Sequence, residues 1–221
     1  MNFIRIALFG LLAAGVVQAQ TIRTVDNNVN APAVDNVLVF NSLQAAHDAA
    51  DPGDIIHIIG SPNNYFDATF TKQLHIFGIG VYPDKDVAHH SYVRRFTMEA
   101  GASGTTIEGL HFSGGWLWLK GTIRDVSVRR CFFNNSYIDE QDAVKTGILI
   151  SDNIFQRGGS WVIHLDYFAN QDIVIRNNIF MRAPIHVTRG LVANNVFLAN
   201  GVLNAITAAN LSQFNNNIFY R

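Results

Sequence analysis

The four-residue unit Asn177-Asn178-Ile179-Phe180 recurs along this chain and limits what it can fold into. Asp152-Asn153-Ile154-Phe155 precedes it, and Asn194-Asn195-Val196-Phe197 and Asn216-Asn217-Ile218-Phe219 follow. Weaker copies lie upstream at Leu110-His111-Phe112 and Cys131-Phe132-Phe133. The six phenylalanines are separated by 21, 22, 25, 17 and 22 residues. Self-similarity at this period marks a solenoid, in which each repeat buries its apolar face only against its neighbours.

The content of the repeat selects the kind of solenoid. Short runs with period-two alternation precede each Phe: Thr105 to Ile107, Val126 to Val128, Ile148 to Ile150, Ile173 to Ile175, and Leu191-Val192. Such runs read as strands with one buried face. The leucine-and-asparagine consensus of leucine-rich repeats is absent, and helical repeats need longer helix-forming periods. The expected fold is all-β: a right-handed parallel β-helix of about seven coils, with strands of successive turns stacked at about 4.8 Å. Asn two residues before each Phe fits a tight left-handed turn whose amide bonds the next coil. Asn153, Asn178, Asn195 and Asn217 are thus expected to form a ladder beside a stack of phenylalanines. Cys131 stands in one ladder slot as a small buried residue.

At the N-terminus, Arg5, the apolar stretch Ile6 to Val17 and the small-residue site Val17-Gln18-Ala19 form a secretory signal peptide over 1–19. The remainder, 20–221, reads as one exported domain. It comprises a lead-in (20–40) with a short strand at Val37 to Val39, a capping helix (41–51) and coils (53–221). No other run is long and apolar enough to span a bilayer. With 16 basic against 17 acidic residues the chain is near neutral, so no basic excess points to nucleic acid. The apolar fraction is 48% and the charged fraction 15%, which suits a packed core. One cysteine excludes an internal disulfide framework. The chain ends directly after an Asn-Phe unit, so an uncapped last coil is expected, either within a longer protein or open to self-association.

In the capping segment, Asn41 or Ser42 is a plausible N-cap and Pro52-Gly53 a stop, with Leu43, Ala46, His47 and Ala50 on one face. The run from Ser42-Leu43-Gln44-Ala45-Ala46 through Asp51-Pro52-Gly53-Asp54-Ile55-Ile56-His57-Ile58 to Tyr65 resembles the N-terminal signature of the pectin-lyase-like superfamily. There a capping helix leads through a Gly-Asp turn into the first β-helix strand. With the Asn-Phe coils, the resemblance covers nearly the whole chain after the leader. It implies the fold; members include polysaccharide lyases, hydrolases, esterases and adhesins, so it does not fix an activity.

Alternation sorts the faces of the first strand of each coil, expected at Asp54 to Ile59, Arg94 to Glu99, Trp116 to Lys120, Ser136 to Glu140, Trp161 to Asp166, Pro184 to Thr188 and Val202 to Thr207. The outward row then carries His57, Arg95, Thr97, Glu99, Trp116, Trp118, Lys120, Tyr137, Asp139, His164, Asp166, His186 and Thr188. Aromatic faces beside hydrogen-bonding groups suit sugar rings, and in carbohydrate-active members of the resembled family this sheet forms the substrate groove. Arg95, Trp116, Trp118, Lys120 and Tyr137 are the candidate substrate-binding residues. The loop Tyr82 to Tyr92 covering the tryptophans is the competing expectation.

Asp139, His164, Asp166 and His186 are the candidate catalytic residues. Two carboxylates on adjacent coils could act as the acid and base of an inverting hydrolase. Alternatively a histidine could remove the proton alpha to a uronate carboxylate, with a cation neutralising that carboxylate. The polygalacturonase-type motif set and the calcium-binding aspartate cluster of pectate lyases are both missing, so enzyme and non-enzymatic surface, adhesin or structural protein stay open together. No metal site is expected. Asp139-Glu140-Gln141-Asp142 offers oxygen ligands of the kind calcium takes, although the spacing of a known loop is absent. A metal at His89-His90 is disfavoured, because adjacent histidines seldom face one ion. Polysaccharide is the expected partner.

Overall fold

In a computed structural model, which describes residues 19–81, 88–156, 161–198, 206–207 and 213–220, the chain is an all-β parallel solenoid of about 6 turns. The expected leader, Ala19 apart, and residues 82–87 fall outside the described residues. The strands assemble into a ten-stranded sheet, a twelve-stranded sheet and a two-stranded pair. The ten-stranded sheet stacks the expected second strands, among them Thr106–Glu108, Ser127–Arg129, Leu149–Ser151, Ile173–Arg176 and Gly190–Ala193. The twelve-stranded sheet carries two faces of the solenoid. One holds the Phe strands Phe132–Asn134, Ile154–Gln156, Ile179–Met181, Val196–Leu198 and Ile218–Tyr220, and the other holds the candidate site.

The strand His111–Lys120 joins these two faces. Its first residues pair with Phe132–Asn134 and its last with Tyr137–Gln141. The bend falls at Gly114-Gly115. Gly114 has φ +64°, and a Cβ on Gly115 would stand 1.7 Å from the Arg94 carbonyl oxygen, so only glycine allows the neighbouring coil this close. The facing strand Tyr92–Met98 has a register irregularity there, between Val93 and Arg95.

The ladder forms as expected. Asn178 Nδ2 donates to the Ile150 carbonyl and to Asn195 Oδ1, while its own Oδ1 accepts from Asn153 N and Nδ2. Asn195 repeats the pattern on Asn217. Cys131 fills its slot by donating its backbone N–H to Asn153 Oδ1, and burial pushes its thiol up to about 12. The left-handed residue is not the ladder Asn but the one before it: Gly109, Arg130, Asp152, Asn177, Asn194 and Asn216 have φ between 52° and 71°. The turn needs a tolerant backbone at one position and a buried amide at the next, so the doubled Asn serves two purposes. Beside the ladder, Phe112, Phe133, Phe155, Phe180, Phe197 and Phe219 stack at 4.5–5.0 Å between ring centroids.

At the N-terminal end, helix Leu43–Ala49 lays Leu43, Ala46 and His47 on the first coil, with Ser42 as N-cap. His47 is a packed cap residue: its Nε2 accepts from Thr71 N at 3.0 Å and its ring meets the edge of Phe70. Two expectations need correction. The lead-in contributes strand Ile22–Val25 as well as Val39–Phe40, and Arg23 pairs with buried Asp54 at the Gly53 turn. Strand Ile55–Ile58 belongs to the ten-stranded sheet, between Ile22–Val25 and His75–Phe77, so His57 does not stand in the candidate row. Strand Ala68–Phe70 takes that place and pairs with Tyr92–Met98. Alternation marks a strand and its faces, but both sheets alternate alike, and it cannot say which sheet a strand joins.

His111 is expected to make the fold sensitive to acid. It is 8% exposed among Tyr92, Phe132 and His90, and its Nδ1 has no hydrogen-bond partner among the described residues. Burial, aided by His90, pushes its pKa from 6.5 down to about 4. A base whose folded pKa is depressed contributes full stability above its unfolded pKa and loses it as pH falls toward the folded one. We expect about 3 kcal/mol to be lost this way between pH 6.5 and pH 4. His111→Phe should remove that portion of the acid sensitivity, read as the change in unfolding free energy between the two pH values for variant and wild type.

Candidate functional site

One residue per coil builds the centre of the candidate face. The parallel register aligns Thr69, Thr97, Trp118, Asp139, His164 and His186 across successive strands, with Thr207 at the far end. A second row, two residues earlier, aligns Arg95, Trp116 and Tyr137. Each row follows from period-two alternation in unshifted parallel register. The expected binding and catalytic residues therefore share one face, and they fall into two adjoining groups.

The first group is aromatic and cationic. The Trp116 and Trp118 rings stack at 4.7 Å, and Tyr137 lies 6.1 Å from Trp116. The Arg95 guanidinium stands 4.2 Å from the Trp116 ring centroid and donates to Asp67 at 3.2 Å. Gln44, Asp67, Ala68, Thr69, Arg95, Thr97 and the two tryptophans line a cleft of about 220 Å³. The indoles thus stand side by side rather than lying flat as a platform. Trp116 is packed by Arg95, Trp118 and Tyr137, while Trp118 borders the cleft with one ring neighbour among the described residues. Both tryptophans are half-buried. In the segment expected to cover them, residues 88–92 are described, and there His90 packs on Tyr92 and His111 and donates from Nδ1 to the Gly80 carbonyl at 3.2 Å. Lys120 lies to one side with Glu99, at 3.5 Å and both exposed. Burial, followed by the nearby Asp139 charge, raises the Tyr137 pKa.

The second group is a chain of imidazoles and carboxylates. His164 Nδ1 is 3.0 Å from Asp139 Oδ1, and its Nε2 is 3.3 Å from Asp166 Oδ2. The same Asp166 oxygen is 3.7 Å from His186 Nδ1. One ligand atom each from His164, Asp166 and His186 lie within 4.8 Å of one another. The two carboxylates do not face each other across a gap for water, since the His164 ring lies between them. The Trp161 ring packs against His186 at 5.1 Å, and burial lowers the His186 pKa.

In the stretch Asp139 to Asp142, the first two carboxylates turn to opposite sides. Asp139 turns outward to His164, whereas Glu140 turns inward, where Tyr167 N and Asn170 Nδ2 donate to it and buried Lys145 stands 4.0 Å away. Alternation required this inward position for Glu140, next to inward Ile138, but the acidic run masked it. Asp67 and Gln44 were also missed, because loop and cap residues carry no periodic signal.

No family model, curated protein or solved structure matches the chain. Among the described residues no helix is long and apolar enough to cross a membrane.

Proposed function

We propose that this protein is an exported β-helix of the pectin-lyase-like type that binds a uronate-containing polysaccharide along the face from Arg95 to His186. The observation that carries the proposal is the aromatic–cationic cleft: half-exposed indoles beside Arg95, with cations whose carboxylate partners are replaceable. Arg95–Asp67 and Lys120–Glu99 are solvent-accessible pairs, worth about 0–1 kcal/mol each, so a sugar carboxylate can exchange with Asp67 or Glu99 at small cost. Indole and phenol rings offer sugar C–H faces an apolar contact, and the neighbouring hydroxyls and carboxylates accept sugar O–H donors. Secretion follows from the leader in the sequence.

Cleavage would fall to Asp139, His164, Asp166 and His186, beside the cleft. A pure binding role, as in a surface or adhesin-type protein, is favoured by one feature: both His164 nitrogens and the facing oxygens of Asp139 and Asp166 are engaged with one another. Incubation with polygalacturonate and alginate separates the two. Unsaturated-uronate absorbance or new reducing ends abolished by His164→Ala would make the protein an enzyme, and binding without either product would make it a lectin-like module. Binding itself is tested by affinity electrophoresis in gels containing polygalacturonate. Arg95→Ala should weaken retardation about 10-fold, the loss of one charge-assisted contact of about 1.4 kcal/mol. Retardation unaffected by Arg95→Ala and by salt would overturn the uronate assignment.

A further inference from the structure

The geometry points to a divalent transition-metal site, of the zinc class, formed by His164 Nε2, His186 Nδ1 and Asp166 Oδ2. This goes beyond the glycan reading and does not depend on it.

Three independent features converge on it. The first is spacing. Zinc bonds to imidazole nitrogen and carboxylate oxygen are about 2.0–2.2 Å long, so neighbouring ligand atoms around a tetrahedral ion stand about 3.3–3.6 Å apart. The Asp166 Oδ2 contacts, 3.3 Å to His164 and 3.7 Å to His186, bracket that edge length before any ligand moves. One ligand atom from each of the three residues lies within 4.8 Å of the other two.

The second is orientation. A metal-bound histidine normally gives its other ring N–H to a carboxylate or carbonyl, which fixes the tautomer. Asp139 Oδ1 stands 3.0 Å from His164 Nδ1, on the side of the ring away from Asp166, and leaves the Nε2 lone pair directed at the site. The third is mounting. His164 and His186 are register partners on the paired strands Ile163–Leu165 and Ile185–Val187, and the Trp161 ring packs against His186. The two histidine ligands are thus held on paired strands, and Asp166 follows directly after the first of them. All three are partly exposed, which gives a metal an entry path and leaves a coordination position for water or a ligand oxygen. Two imidazoles and one carboxylate favour zinc, nickel, cobalt or copper over calcium and magnesium, which prefer all-oxygen shells.

The test is calorimetric titration of the untagged mature chain, stripped with chelator, with zinc chloride and separately with calcium chloride. The expected result is one zinc per chain, no saturable calcium binding, at least 10-fold weaker zinc binding in His186→Ala, and a loss of about 10- to 100-fold in Asp139→Asn. Cobalt substitution should give the visible bands of a low-coordinate ion, and paramagnetic quenching by cobalt should be strongest for Trp161. Circular dichroism checks that each variant folds, and Asp166→Asn serves if His186→Ala does not. Zinc binding that survives both His186→Ala and Asp166→Asn, a stoichiometry above one, a preference for calcium, or no saturable binding at millimolar zinc would each overturn the site.

Discussion

Asn178→Leu is expected to cost about 4 kcal/mol of folding stability, whereas Asn177→Gly, one position earlier, should change it by less than about 0.5 kcal/mol. The contrast follows from the turn. Asn178 is buried and its amide satisfies the Ile150 carbonyl and the Asn153 N–H, so leucine would leave two buried backbone groups without partners, each costing about 1–3 kcal/mol. Asn177 is exposed with φ 57°, and among the described residues its side chain bonds only to Asp152, at 3.3 Å on the surface. Glycine adopts that backbone region readily. Equilibrium urea unfolding of the two variants measures both. Similar losses from the two substitutions would mean that the corner is held by backbone shape and not by the ladder.

Breaking the second buried polar device should be as damaging. Lys145 is fully buried; its Nζ donates to the Asp142 and Ala143 carbonyls, and its backbone N–H donates to Asn170 Oδ1. Asn170 in turn donates to Glu140 at 2.8 Å. Burial raises the Glu140 pKa and lowers that of Lys145, the directions expected where desolvation outweighs attraction across 4.0 Å. Lys145→Met should therefore cost about 3–5 kcal/mol, because it strands the Glu140 charge and two turn carbonyls. Lys145→Met combined with Glu140→Gln should recover a large part of the loss, since the stranded charge is then gone. Unfolding midpoints of the single and double variants form the test, and a double variant no more stable than Lys145→Met would show that the carbonyl contacts, not the charge, carry the energy.

The Asn-Phe repeat made the solenoid, the ladder and the phenylalanine stack legible in the sequence, because each coil repeats the same local demand at the same offset. The contents of the candidate face were legible for the same reason: unshifted parallel register turns alternation into rows, and Trp118, Asp139, His164 and His186 fall in one. What the sequence concealed was set by non-periodic contacts. The sheet to which Ile55–Ile58 belongs is decided by its pairing with Ile22–Val25, a strand in a lead-in that looked polar and extended. The upright stacking of Trp116 on Trp118 depends on side-chain rotamers and on Arg95. The convergence of His164, Asp166 and His186 on a common point depends on the position of Asp166 just past its strand, where alternation no longer applies.

The most direct test of the functional proposal is tryptophan fluorescence of the mature protein titrated with polygalacturonate, alginate and a neutral glucan. The account predicts a saturable shift with at least one polyuronate, weaker or absent with the glucan, and abolished in Trp118→Ala. A folded protein that gives no shift with any of these polymers, or a shift that Trp118→Ala leaves intact, would contradict the assignment of this face as a polysaccharide-binding site.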